Sequence, residues 1–185
     1  PYTSTDENSF FRGIASSISY KFIDISFFYS SNKIDATLIP AETYDGYKVK
    51  TFVSGGVHNT LSLGGKKDNV TDETYGIDLS CNYKNLRLGF TWSGDKFSVP
   101  KEKDNKTEYV FDFEGNRNSV YTISYNSLIK KNLLFGEVSI NDKRNRAIIQ
   151  GFSMRPSDRL SLSFIYRNYS QGFFSFHGKG PGQGS

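Results

Sequence analysis

Residues 75 to 92 constrain the fold more than any other stretch of the chain. Tyr75, Ile77, Leu79, Cys81 and Tyr83 alternate with small polar residues, Lys84-Asn85 interrupts, and Leu86, Leu88, Phe90 and Trp92 alternate on the way back. Side chains alternate faces along a β-strand, so each half presents its bulky residues to one side. A two-residue turn at Lys84-Asn85 pairs Tyr83 with Leu86, Cys81 with Leu88, Leu79 with Phe90 and Ile77 with Trp92. All four pairs then share one face, which is the condition that fixes a β register. The other face is left with Gly76, Asp78, Ser80, Asn82, Arg87, Gly89, Thr91 and Ser93.

The pattern recurs. Ile14, Ile18 and Tyr20 lead to a turn at Lys21-Phe22 and return as Ile23, Ile25, Phe27 and Tyr29. Tyr121, Ile123 and Tyr125 oppose Leu134, Val138 and Ile140 across a turn between Ser127 and Asn132. Ile148, Phe152 and Met154 oppose Leu160, Leu162, Phe164 and Tyr166 across Arg155-Pro156-Ser157-Asp158-Arg159, where Pro156 and Asp158 suit a corner. Four hairpins make about eight strands. The connections between them, 31–73 and 93–117 above all, are longer and carry most of the charge, as in Lys66-Lys67-Asp68 and Lys101-Glu102-Lys103-Asp104. Tyr47 to Val53 reads as an extra strand within the first long connection. The fold class expected is all-β: an antiparallel up-and-down meander of about eight strands, forming a membrane β-barrel or an arc of a larger one.

Composition separates a lipid-facing meander from a water-facing one. The chain is 36% hydrophobic and 16% aromatic, and it has no apolar run long enough for a helical span. A sheet facing water usually carries Lys, Glu and Arg on its polar side. Here that side is mainly Ser, Gly, Asn, Ala and Thr, with sparse charge at Asp24, Asp78, Arg87, Glu137 and Arg167. Small polar residues toward an enclosed space and bulky ones toward lipid describe a barrel with short turns on one side of the membrane and long loops on the other. The five charges are then candidates for the lumen. Tyr20, Tyr83 and Tyr125 at the turn ends, with Tyr29, Trp92 and Tyr166 at the opposite ends, are candidate membrane-interface aromatics. The rival reading is a soluble β-barrel or sandwich that binds an apolar ligand or glycan with the bulky face turned inward.

The opening Pro1-Tyr2-Thr3-Ser4-Thr5-Asp6-Glu7-Asn8-Ser9-Phe10-Phe11-Arg12-Gly13-Ile14-Ala15, then Phe27-Phe28-Tyr29-Ser30 and Lys33-Ile34-Asp35-Ala36, carry a resemblance, as do Gly56-Val57-His58-Asn59-Thr60, Phe135-Gly136-Glu137 and Leu162-Ser163-Phe164-Ile165-Tyr166-Arg167-Asn168-Tyr169. The chain resembles the barrel region of bacteroidete-type outer-membrane proteins that also contain a helix-hairpin-helix segment. That resemblance implies a Gram-negative outer-membrane location, the lipid bilayer and the rest of a parent barrel as partners, and a transported solute or DNA as cargo. A DNA-uptake role follows from the competence proteins that carry such segments, and the segment itself is not in this chain. The loops are mixed in charge rather than steadily basic, which makes a poor phosphate track. Residues 1–185 are read as one barrel segment of a longer protein, ending in a glycine-rich tail at 178–185.

No catalytic motif is expected, and no cofactor or metal. The single cysteine, Cys81, excludes an internal disulfide and a cysteine-based zinc site. His58 and His177, the only histidines, fall in separate connections and read as solvated. No Gly-x-Ser-x-Gly elbow occurs. Gly64-Gly65-Lys66-Lys67 lacks the spacing of a phosphate loop, and Asp112 and Glu114 read as solvated or ion-paired. Phe173-Phe174-Ser175-Phe176-His177 is expected to begin another strand, with an interface patch or a ligand platform as alternatives. The reading is a non-enzymatic structural, channel or uptake component.

Overall fold

The computed structural model describes residues 11–41, 45–53, 65–103, 112–157 and 159–177. Ten strands form one sheet: β1 (Gly13–Tyr20), β2 (Ile23–Ile34), β3 (Ala36–Pro40), β4 (Tyr47–Phe52), β5 (Val70–Tyr83), β6 (Leu86–Lys101), β7 (Gly115–Ile129), β8 (Asn132–Asn141), β9 (Arg146–Ser157) and β10 (Leu160–Tyr169). Eight of them run as a meander in the order β1-β2-β5-β6-β7-β8-β9-β10, every neighbour antiparallel. Among the described residues β1 and β10 do not pair with each other, so the sheet is open.

The register expected from parity is the register observed. Tyr83 pairs with Leu86, Cys81 with Leu88, Leu79 with Phe90 and Ile77 with Trp92, and Tyr20 pairs with Ile23 and Ile18 with Ile25. Three of the tight turns open on a lysine with left-handed backbone: Lys21 (φ 54°), Lys84 (φ 52°) and Lys130 (φ 56°). The β7–β8 turn is tighter than the sequence implied, because β7 continues to Ile129 and only Lys130-Lys131 turns. Tyr125 therefore does not end its strand. Its ring lies instead over Gly136, where a Cβ would sit 2.5 Å from the ring.

The ladder is also staggered. One row of paired residues runs Tyr20, Ile23, Cys81, Leu88, Tyr125, Gly136, Gln150, Tyr166. It starts beside a turn on β1 and reaches β10 six residues past Leu160, the first residue of that strand. Seven strand spacings of ~4.8 Å against six residues of ~3.3 Å tilt the strands by roughly 30° if the turns share one level.

The first long connection departs from an open loop. β3 and β4 pair as a hairpin, Ala36 opposite Phe52 and Pro40 opposite Tyr47, and β4 touches β6 through a parallel bridge from Val49 to Lys101. The expected extra strand at Tyr47 to Val53 is β4. The hairpin closes a small core: Ile34, Ala36, Val49, Val70, Phe97 and Phe113 are buried, with Leu38, Phe52, Val99, Phe174 and Phe176 against them. Asn69 locks its entrance, its amide accepting from Ala36 N at 3.0 Å and donating to Ala36 O at 2.8 Å.

Candidate functional site

Cross-strand partners share a face, so the register assigns every side chain to one of the two sides. Asp24 lies opposite Ser80, Asp78 opposite Thr91, Arg87 opposite Asn82, Glu137 opposite Ser124 and Arg167 opposite Ile149. All five share the face that carries Gly76, Ser80 and Gly89, opposite to Leu79 and Phe90. On it Asp78 accepts a 2.6 Å bond from Thr91 Oγ1, Asp24 a 2.7 Å bond from Asn82 Nδ2, and Glu137 a 3.2 Å bond from Ser139 Oγ. Arg87 and Glu137 line one concavity with Ser124 and Phe135. Arg167 lies apart, on the last strand.

This face is less uniformly polar than the sequence pattern implied. Phe28, Leu133, Phe135, Ile149 and Ile165 share it, since Phe28 pairs with Gly76, Leu133 with Ser153, Phe135 and Ile165 with Gly151, and Ile149 with Glu137 and Arg167. The glycines are where the rings lie: a Cβ at Gly151 would come within 2.1 Å of the Phe135 ring and one at Gly76 within 2.5 Å of the Phe28 ring.

The opposite face holds a continuous apolar band. Ile18, Phe27, Leu79, Leu88, Phe90, Ile123, Val138 and Phe164 are all exposed on it, Ile123 at 65%. In the ten residues next to each turn, this face carries no Asp, Glu, Lys or Arg on β2 and β5 to β10, and on β1 the first is Arg12, one residue before the strand begins. The first charges beyond are Lys33, Glu73, Lys96, Arg117 and Arg146. At the turn end Tyr20 and Tyr83 are exposed, each with the following lysine over its ring at 5.1 Å and 5.2 Å. At the other end Tyr29, Trp92 and Tyr166 each stand seven residues past their turns. Tyr75 meets Trp92 edge to face at 5.6 Å. Tyr29 donates to Glu73 at 3.1 Å, and Lys96 pairs with Glu73 at 2.8 Å; these two bonds hold the Glu73 carboxyl below its ordinary range.

Beyond the aromatics, on the inner face, lies a polar centre that the sequence reading missed. His177 is neither solvated nor isolated. Its Nε2 is 3.0 Å from Asp72 Oδ2, 3.0 Å from Thr74 Oγ1 and 3.8 Å from Asp95 Oδ1. Asp72 is 3% exposed and Asp95 7%. Asp95 and Thr74 are direct partners on β6 and β5, and Asp72 is the next inward residue on β5. The tail brings the histidine. After β10 the chain crosses the inner face instead of starting another strand: Asn141 Nδ2 donates to Gly172 O at 3.3 Å and Asn118 Nδ2 to Phe174 O at 3.2 Å. Phe174 stacks on Phe113 at 4.6 Å and Phe176 meets Phe52 and Phe97 at 5.0 Å, so the aromatic cluster of the tail is a half-buried strap. His177 is then held between the rings of Phe11 at 4.6 Å and Phe176 at 4.9 Å.

Burial raises the Asp95 carboxyl to about 6; His177 opposes the shift, Asp72 adds to it and the Thr74 hydroxyl opposes it. Asp72 Oδ1 is buried with no hydrogen-bond partner among the described residues. Asp72, Asp95 and His177 are the one set of three His, Cys, Asp or Glu residues among the described residues with ligand atoms all within 4.8 Å of each other. The signal in the sequence was slight: two aspartates with inward parity near the ends of paired strands, and a histidine after a run of phenylalanines. His58 and the glycine-lysine stretch at residue 64 lie wholly or partly outside the described residues, while Lys101 Nζ pairs with Asp112 at 3.1 Å. Comparison with protein-family models, curated proteins and solved structures returns no match to this chain.

Proposed function

We propose that the chain is a tilted arc of a Gram-negative outer-membrane β-barrel, a structural, channel or uptake component rather than an enzyme. The observation that carries this reading is the outward face. It combines exposed large apolar side chains with outward positions on β2 and β5 to β10 that carry no charge over the ten residues next to each turn. Tyr75 and Tyr121 each stand nine positions before the lysine that opens their turn. At ~3.3 Å per residue and a tilt of roughly 30°, that is a band about 26 Å tall, against the ~25 Å apolar belt of outer-membrane barrels. A soluble sheet would have to cover the same face, and among the described residues nothing packs on it.

An open sheet in hydrocarbon leaves unpaired backbone groups along both edges, each costing several kcal/mol. The edges at β1 and β10 therefore need partner strands, which the rest of a longer barrel would supply. The inner face, with Asp24, Asp78, Arg87, Glu137 and Arg167, would then line the enclosed space and bias which solute passes. A link to DNA uptake rests on the family resemblance alone.

Trp92, the single tryptophan of the chain, provides the test. In vesicles of lipids brominated along their acyl chains its fluorescence should be quenched relative to plain lipid vesicles. Equal emission in both, with the protein folded, would remove the membrane assignment.

A further inference from the structure

We propose that Asp72, Asp95 and His177 form a binding site for a divalent first-row transition metal of the zinc class. Three oxygens, from Asp72, Thr74 and Asp95, converge on one ring nitrogen at 3.0, 3.0 and 3.8 Å. A single imidazole N–H points along one line and cannot satisfy them all. The converging atoms of the three ligating residues all carry lone pairs, which is what a cation needs. A tetrahedral ion ~2.0–2.1 Å from each ligand sets neighbouring ligand atoms roughly 3.3 Å apart, between the two His177–carboxylate distances here.

A second observation points the same way. Asp72 is buried, and its Oδ1 has no partner among the described residues. A carboxylate oxygen removed from water without a hydrogen bond is costly, and a metal ion offsets that cost. One imidazole and two carboxylates suit borderline ions such as zinc, where an all-oxygen site would suit calcium or magnesium. The site also has a supporting shell, because Phe11 and Phe176 flank the imidazole and the β5–β6 ladder fixes both aspartates. Bound there, the ion would pin the strap to the inner face. The inference is independent of whether the outward face meets lipid.

The test uses the full-length protein extracted in detergent, stripped with EDTA, and titrated with zinc chloride against a chromophoric chelator. The unaltered protein and the control His58→Ala should bind one more equivalent of zinc than His177→Ala and Asp95→Asn, whose affinity for it should fall at least about a hundredfold. Heat-modifiable electrophoretic mobility reports whether each variant is folded; should Asp95→Asn fail to fold, His177→Gln serves, since it alters only the strap. Cobalt substitution should give a visible d–d absorption band that His177→Gln abolishes. Equal zinc stoichiometry and affinity in His177→Ala, His177→Gln and unaltered protein would overturn the proposal.

Discussion

Individual residues of this sheet differ sharply in how much change they tolerate, and the glycines show why. A Cβ at Gly76 would meet the Trp92 carbonyl oxygen at 2.5 Å as well as the Phe28 ring, whereas one at Gly89 meets only the Ser124 hydroxyl at 2.5 Å, which can rotate away. Gly76→Ala should cost about 1–3 kcal/mol, because a backbone atom must shift, and Gly89→Ala should stay within about 0.5 kcal/mol. Urea titrations followed by Trp92 emission would separate the two. Asp95 makes a prediction in pH. In metal-free protein the folded state keeps its proton up to about 6, while the unfolded chain releases it near the ordinary 3.8. The folded state thus binds more protons between those values, and stability should fall as pH rises from about 4 to about 6, by on the order of 3 kcal/mol at most, then level off. Asp95→Asn should flatten that slope. A stability curve unchanged by the substitution would show that Asp95 does not titrate in this way.

Along single strands, adjacent positions should behave as opposites. Phe90 lies at mid-band on the outward face and Thr91 beside Asp78 on the inner one. If the outward face meets lipid, Phe90→Arg places a cation in hydrocarbon and should cost about 2–4 kcal/mol of folding stability there. Thr91→Arg would place the same cation near a carboxylate and should cost less than half as much. Folding yield into vesicles, read by heat-modifiable mobility, measures both; equal costs would deny the two faces their different surroundings. The hairpins were legible because their information is local: the parity of Tyr75 to Trp92 specifies turn, register and face together. The end of β7 was not, since Lys130-Lys131 has none of the usual Asn-Gly or Asp-Gly turn signal and Ser127-Leu128-Ile129 resembles a corner as much as a strand.

At the scale of the whole molecule, the inner charges should set ion preference if the arc belongs to a conducting barrel. Replacing Asp24, Asp78, Arg87, Glu137 and Arg167 together with neutral amides should shift the reversal potential in planar bilayers under a salt gradient. An unchanged potential and conductance would exclude them from the permeation path. What lies beyond the aromatic ends of the strands depends on distant parts of the chain. The β3–β4 hairpin folds onto β6, the strap crosses from β10 to β5, and His177 reaches Asp72 105 positions earlier. The sequence by itself determined the all-β meander, its registers and the division of side chains between two faces, because a period of two couples each residue only to near neighbours and to one cross-strand partner. Only the tertiary structure decided the open edge, the folded first loop and the Asp72–Asp95–His177 centre. Those follow from chain segments meeting across the inner face, and such encounters are set by shape and burial rather than by any periodicity that a linear pattern can hold.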